Sequence, residues 1–326
     1  MMNIPIFLAS DENYAKYMAV TMTSIFTNTE EFIEFYILDG GITEETKKKF
    51  EELKSIKQNF SMEFIKVDMS LFKKFPNIGH FSLNMYLRYL IPDLKPNLNK
   101  VLYLDVDLII NGDIKKLYNI DLEEYPLGAV PYPVDSANSG YVAWSSSVKK
   151  GIGVAQDSLY FNSGVLSINC KYFREHDIQQ SLFDKTAEMS KVLICPDQDV
   201  LNIIFENNYK ILPANFNLIV DMTDKNIFEK YKNGFYILHY TGGKCYRPWL
   251  NSECPFADDF WISAKKTPFY NEMLEDLKQY DIAKNRKNKV LKINYHLLKL
   301  LDTITLNKFK FINKKTIKLR KMIKGR

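Results

Sequence analysis

The chain predicts an α/β protein built on an open sheet, and three observations carry that expectation. Its first hundred residues alternate short apolar runs with charged, amphipathic segments in the order βαβαβ. The run at residues 101–104 is apolar at every position, as a strand covered on both faces must be. Apolar residues make up 46% of the 326 positions against only 13 Gly and 12 Pro, which excludes a disordered or collagen-like chain.

Taken in order, residues 4–9 form an apolar run closed by Ser10-Asp11-Glu12-Asn13. A helix follows over about 14–27, with Tyr17, Val20, Met22, Ile25 and Phe26 near one face. Residues 32–38 are a second strand, closed by Asp39-Gly40-Gly41. Thr43-Glu44-Glu45 opens a charged helix reaching about residue 56, with acids in its first turn and lysines later. Residues 62–67 are a third strand, and 85–91 a short helix that stops before Pro92. The fourth strand, 101–104, is expected at the centre of a parallel sheet joined by right-handed crossovers. The second half is less regular: strands over 159–168, one or two helices over 171–191, a helix over 198–207 and a late strand over 235–239.

Charge divides the chain. Residues 284–326 hold 15 Lys or Arg against the single acid Asp302, a local net of +14, although the whole chain is only +5. The rest is therefore an acidic body, which repels nucleic-acid backbones, and the tail holds no RNA- or DNA-binding module; no nucleic-acid partner is expected. In the tail Val290, Leu291, Ile293, Leu297, Leu298, Leu300 and Leu301 recur at near-helical spacing. A basic amphipathic segment suits an anionic membrane surface, whereas the plainer reading is a solvated helix packed on the body, or disorder. No run approaches the roughly 18–20 apolar residues of a membrane span. The first residues lack the basic start of a signal peptide, and the four cysteines show no CxxC pairing, as fits reduced thiols. The expected location is cytoplasmic, peripherally attached to the inner face of the cell membrane. The expected organisation is one domain over residues 1–260 and an extension over 261–326, basic from about 284.

Three constellations could carry chemistry. In Val101-Leu-Tyr-Leu-Asp105-Val-Asp107 a buried strand delivers two carboxylates at its C-terminal end, the edge where open α/β sheets bind ligands. If the strand continues, the i, i+2 spacing puts both on one side, where they can share a hard cation or divide metal and sugar contacts. The plainer reading is an exposed turn after a strand. In Leu238-His239-Tyr-Thr-Gly242-Gly243-Lys244-Cys-Tyr-Arg247-Pro248-Trp249, a histidine closing a strand can ligate a metal. The glycines let backbone N–H groups approach phosphate, and Lys244 or Arg247 supplies positive charge. Against this stands an ordinary glycine turn beside a half-buried histidine. In Phe161-Asn162-Ser163-Gly164 and Cys195-Pro196-Asp197-Gln198-Asp199, Asn162 and Gln198 suit hydroxyl binding. Asp197 and Asp199 equally fit the first turn of a helix. A dinucleotide dehydrogenase is excluded, because SDENY after strand one is nothing like G-x-G-x-x-G. A catalytically inactive scaffold predicts loss of the acids and histidine, all of which are present.

SDENY at 10–14, YLRY at 86–89, LYLDVD at 102–107, FNSGVLSIN at 161–169, PDQDVLN at 196–202 and HYTGG with RPW at 239–249 together resemble glycosyltransferase family 8. The resemblance runs over residues 3–250, and its likeness is to bacterial lipopolysaccharide galactosyl- and glucosyltransferases. It implies a GT-A fold: an open mixed sheet with a Rossmann-like, nucleotide-binding N-terminal half, followed here by a basic helical tail. It also implies retaining transfer of a hexose from a UDP-sugar to a glycan or lipid-linked glycan acceptor, with Mn²⁺ or Mg²⁺ as cofactor. By the same resemblance, Asp105, Asp107 and His239 would bind the metal, and Ala9, Asp11, Asn13, Tyr14 and Val106 the uridine, with Tyr14 stacking on uracil. Gly242 and a cation, Arg247 or Lys244, would bind the diphosphate. Arg88, Asn162, Asp197 and Gln198 would surround the donor sugar, with Asp197 and Gln198 nearest the reaction, and His80 would hold the acceptor. Two features depart from the family's pattern. The segment from His239 to Pro248 is about two residues longer than usual, and Gly128-Ala-Val-Pro-Tyr-Pro lacks an acid, with Asp135 the next candidate. Since Arg247 precedes Pro248-Trp249, as the family's lysine does, and Pro248 holds it extended, Arg247 is the preferred cation.

Overall fold

The computed structural model describes residues 2–77, 83–132, 139–284 and 287. His80, Asp135 and the expected tail helix lie outside the described residues. The strands in chain order are β1 (Asn3–Ser10), β2 (Phe32–Asp39), β3 (Phe60–Lys66), β4 (Lys100–Leu104), β5 (Leu108–Asn111), β6 (Leu127–Pro131), β7 (Phe161–Asn169), β8 (Lys210–Ile211), β9 (Leu218–Ile219) and β10 (Tyr236–His239). Seven of them form one sheet in the order β3-β2-β1-β4-β7-β6-β8, and β5-β10-β9 form a second.

The first four strands of the large sheet are parallel, as the βαβαβ order predicts. The expectation of a parallel environment around β4 needs correction: β1 flanks it in parallel, but β7 runs antiparallel along its other edge. The sheet is mixed, and β4 lies at the seam. Alternation along β4 sends Leu102 and Leu104 into one core and Val101 and Tyr103 into the other. That double burial produces the continuous apolar run, and it says nothing about the direction of a neighbouring strand.

Helix α1 (Glu12–Phe26) begins earlier than the apolar pattern indicates, because Asp11 caps it. Its Oδ1 accepts from Asn13 N at 3.0 Å and Tyr14 N at 3.2 Å. The helix expected to stop before Pro92 does not. A 3₁₀ stretch Leu83–Leu90 runs into an α-turn Ile91–Leu94, with Pro92 in its first turn, where no N–H is required. The segment 171–191 divides into helices Cys170–Glu175 and Ile178–Met189, and the next helix is Pro196–Ile204. Sequence reading missed the helix Ser139–Ile152 and the strands β5, β6, β8 and β9. These strands have five residues or fewer and show no period, and the helix carries Gly140 and a run of three serines.

Residues 261–284 stay packed on the body. Phe269 and Met273 are buried in the same core as Ile4, Ile6 and Leu8 of β1. A helix over 270–284 brings Glu272 within 3.3 Å of Lys16, which also pairs with Asp276. Among the described residues no helix is long and apolar enough to cross a membrane.

Candidate active site

Connection order reverses between β1 and β4: the chain leaves β1 for β2 on one side, while β4 adds on the other. The C-terminal ends of such a pair diverge into a crevice. Here it opens into a cavity of about 910 Å³. Asp105 directly follows the last residue of β4, and its N–H still bonds Gly164 O of β7 at 2.8 Å. The chain then turns into the second sheet, where Leu108 of β5 pairs with His239 of β10. Asp105-Val106-Asp107 is therefore the passage between two sheets rather than a strand that continues. What brings the two acids to His239 is the register of β5 against β10.

Helix α1 clamps this passage. Thr21 Oγ1 lies 3.0 Å from Val106 O and 2.8 Å from Leu108 O and accepts from Leu108 N at 3.2 Å. Asp105, Asp107 and His239 each offer a ligand atom, all within 4.8 Å of one another. His239 Nε2 lies 3.2 Å from Asp107 Oδ1 and 3.7 Å from Asp105 Oδ2. Burial opposes charge on both His239 and Asp107, but their mutual attraction outweighs it, raising the pKa of the ring and lowering that of the carboxyl. Gly164 is required beside this cluster: a Cβ there would collide with His239 Cε1 and stand 2.6 Å from Asp105 Oδ2. Two carboxylates and an imidazole drawn this close form a donor set that fits Mn²⁺ or Mg²⁺.

Arg88, buried, ties this cluster to the opposite wall. Its Nη2 bonds Asp105 Oδ1 at 3.0 Å, its Nε lies 3.1 Å from Asp197 Oδ2, and its Nη1 donates to Ser163 O at 2.6 Å. The guanidinium lies over the Tyr103 ring at 4.3 Å. Burial, reinforced by Asp105 and only partly offset by Arg88, pushes the Asp197 carboxyl up to about 6. The two acids of Pro196–Ile204 divide the readings offered for them. Asp199 Oδ2 accepts from Ile194 N at 2.6 Å and Cys195 N at 3.0 Å, an end-of-helix role, whereas Asp197 lines the cavity.

The cavity brings together Ala9, Asp11, Asn13 and Tyr14 from the first crossover with Arg88, Asp105, Val106 and Asp107. Asn162, Asp197, Gln198, His239, Gly242 and Arg247 complete the gathering from the second half of the chain. Lys244 is not brought in: it is exposed, with Nζ 5.7 Å from the Tyr280 ring centroid. Arg247 is extended, with φ −113° and ψ 111°, as a residue before proline should be. Its Nη1 donates to Tyr14 Oη at 3.0 Å, while its Nε is buried with no hydrogen-bond partner among the described residues. Gly242 has φ +92°, and a Cβ there would stand 2.7 Å from Asp221 Oδ2. Sequence reading missed Thr21, Tyr103, Tyr132, Trp144, Ser163 and Asn217. Tyr103, Tyr132 and Ser163 stand inside segments singled out above but were given no role there, whereas Trp144 and Asn217 lie in no such segment, and a buried threonine on an apolar helix face was a usable signal for Thr21.

A model of glycosyl transferase family 8 matches residues 5–253. The chain belongs to glycosyltransferase family 8. An inferred glycosyltransferase of Haemophilus influenzae is 34% identical to this family 8 chain over 244 residues, 73% of this chain and 71% of the relative. The lipopolysaccharide 1,2-glucosyltransferase of Escherichia coli is 29% identical over 256 residues, 74% of this chain and 72% of the relative. The crystal structure of the galactosyltransferase LgtC in complex with donor and acceptor sugar analogues is similar, with a TM-score of 0.68 at 28% identity. That likeness covers 81% of this chain and 96% of LgtC. The family 8 chain thus has the GT-A fold and is a glycosyl-transferring enzyme.

Proposed function

We propose that this enzyme transfers a hexose, galactose or glucose, from a UDP-sugar to a hydroxyl of a surface glycan such as lipopolysaccharide or lipooligosaccharide, with retention and with Mn²⁺. The observation that carries this reading is the convergence of Asp105, Asp107 and His239 at the crevice between β1 and β4. Their donor set suits Mn²⁺, with Mg²⁺ as a substitute. Bound there, the cation would supply Lewis-acid stabilisation of the departing diphosphate. The names of the Escherichia coli relative and of LgtC support the choice of hexose and acceptor class.

The remaining roles fall to the chain's own residues. Ala9, Asp11, Asn13, Tyr14 and Val106 hold the uridine. Gly242 turns its backbone towards the diphosphate, and the Nε of Arg247, which has no partner among the described residues, donates to it. Arg88, Asn162, Asp197 and Gln198 surround the sugar, and His80 holds the acceptor. Gln198 Oε1 accepts from Ser163 N at 3.0 Å and Asn162 Nδ2 at 3.1 Å, so its lone pairs are engaged and it is a poor nucleophile. The acceptor hydroxyl therefore attacks the face from which the diphosphate leaves and passes its proton to the departing phosphate oxygen. The basic tail serves to hold the enzyme at an anionic membrane near a lipid-linked acceptor.

A screen of UDP-sugars with Mn²⁺, read by mass spectrometry, tests the proposal. UDP should be released from UDP-galactose or UDP-glucose, and excess chelator, Asp105→Ala, Asp107→Ala and His239→Ala should each abolish that release without unfolding the chain. Full turnover in excess chelator would refute the metal role, and UDP release from no donor would refute the transferase reading.

A further inference from the structure

His239 can ligate a metal through Nε2 only if the ring proton resides on Nδ1, and a chain of buried amides settles where it goes. A backbone N–H can only donate. Gly164 N donates to one terminal atom of Asn162 at 2.9 Å, so that atom is the oxygen. Asn162 therefore turns its NH₂ to Gln198 Oε1, whose identity is fixed independently by Ser163 N at 3.0 Å. The Asn162 oxygen also receives Asn217 Nδ2 at 2.8 Å, which makes that Asn217 atom the NH₂. What remains of Asn217 is a carbonyl oxygen, 2.9 Å from His239 Nδ1, and it can only accept. Asn217 and Asn162 are both buried, 5% and 7% exposed, so water is poorly placed to take over either role.

We infer that Asn217 is the positioning residue of the metal site: it holds the proton of His239 on Nδ1 and turns the Nε2 lone pair towards Asp105 and Asp107. Two backbone N–H groups of β7, those of Ser163 and Gly164, set the polarity of the whole chain of amides. The sugar-side pair Asn162 and Gln198 and the metal-side His239 are thus oriented by one network. Partners that orient a ligating histidine in this way typically influence metal affinity about 10- to 100-fold. The inference rests on the metal site proposed above and extends it to a residue that touches neither metal nor substrate.

The test uses the full chain with UDP and follows Mn²⁺ binding by the paramagnetic resonance of the free ion, with thermal unfolding recorded for each variant. Asn217→Leu removes the acceptor and should weaken Mn²⁺ about 10- to 100-fold, whereas Asn217→Asp keeps an oxygen facing Nδ1 and should stay within about threefold of wild type. Ring ¹⁵N shifts with Mg²⁺ and UDP should show His239 protonated on Nδ1 in the wild type and in Asn217→Asp. Equal Mn²⁺ affinity in wild type and Asn217→Leu would overturn this inference alone. So would equal loss in Asn217→Leu and Asn217→Asp, because the bond to Asn162 would then be what matters. Absence of Mn²⁺ binding in the wild type would overturn the metal site and this inference together.

Discussion

Arg247 precedes Pro248, and that neighbour shapes what its guanidinium can do. With the backbone held extended, Arg247 donates to Tyr14 in the cavity lining and keeps a buried Nε without an acceptor among the described residues. A charge-assisted hydrogen bond of about 1.5–3 kcal/mol corresponds to a loss of roughly 10- to 150-fold in UDP affinity and turnover for Arg247→Ala. Lys244→Ala should stay within about twofold, since Lys244 lies outside the cavity and its bond to the Tyr280 face is exposed. Crippling by Lys244→Ala alone would reverse the assignment. Asp197 gives a second prediction at this scale. Its carboxyl, ordinarily near 3.8, is pushed up to about 6, so between those values the folded chain binds a proton that the unfolded chain has released. The contribution of Asp197 to stability therefore falls as pH rises through that window. In denaturant titrations Asp197→Asn should gain on the wild type from about pH 4 to about pH 7, and parallel stability curves would contradict it. Activity should run the other way. Ionised Asp197 is the partner of Arg88, so kcat/KM should drop below about pH 6 in the wild type, a limb missing from any residual activity of Asp197→Asn.

Among the elements, α1 does more than cover the sheet. Its first turn, capped by Asp11, presents Asn13 and Tyr14 to the cavity, and its middle turn clamps the passage from β4 to β5 through Thr21. Thr21→Val is nearly isosteric, yet it strands Leu108 N, and whichever of Leu108 O and Val106 O takes the hydroxyl proton, in a buried place. The expected cost is about 1–3 kcal/mol in global stability, with weakened Mn²⁺ binding because Asp105 and Asp107 flank Val106. Unfolding by denaturant beside Mn²⁺ titration checks both, and a stability change under about 0.5 kcal/mol would show that the clamp is idle. Asp11 presents a related case. Both its carboxylate oxygens are engaged, Oδ1 by the cap and Oδ2 by Asn84 Nδ2 at 3.3 Å, so its helix-capping function coexists with its place in the cavity.

For the whole molecule, the charge division and the packing of the C-terminal region assign different limits. The helix over 270–284 is fastened to the body by Phe269, Met273 and the Lys16 pairs, and Lys284 Nζ donates to Asn251 Oδ1 at 3.1 Å. Ending the chain after Lys284 should therefore spare UDP-sugar hydrolysis. The 15 basic residues of 284–326 are nearly all removed by that cut. At about 1 kcal/mol per engaged Lys or Arg, binding to anionic vesicles should be lost while binding to neutral vesicles stays low. Unchanged sedimentation with anionic vesicles after truncation would place the membrane contact elsewhere.

Much of this enzyme can be read in its chain because the relevant physics is local. Double burial writes β4 as an unbroken apolar run, amphipathic period marks α1, and a strand that ends in two acids announces a ligand edge. The family motifs add His239 to the candidate metal cluster, because its segment keeps recognisable neighbours. Other features depend on groups far apart in sequence. The antiparallel placement of β7 against β4, the register that sets His239 opposite Leu108, and the choice of Arg247 over Lys244 as a cavity residue all require distant strands to be in place. Asn217 is the clearest instance. Nothing in Pro-Ala-Asn-Phe-Asn marks it, and its orientation follows from backbone N–H groups more than fifty residues away in β7. Residue type and period are properties of a segment, whereas hydrogen-bond polarity and register belong to pairs of segments. They acquire a value only when the fold brings those segments within about 3 Å of each other.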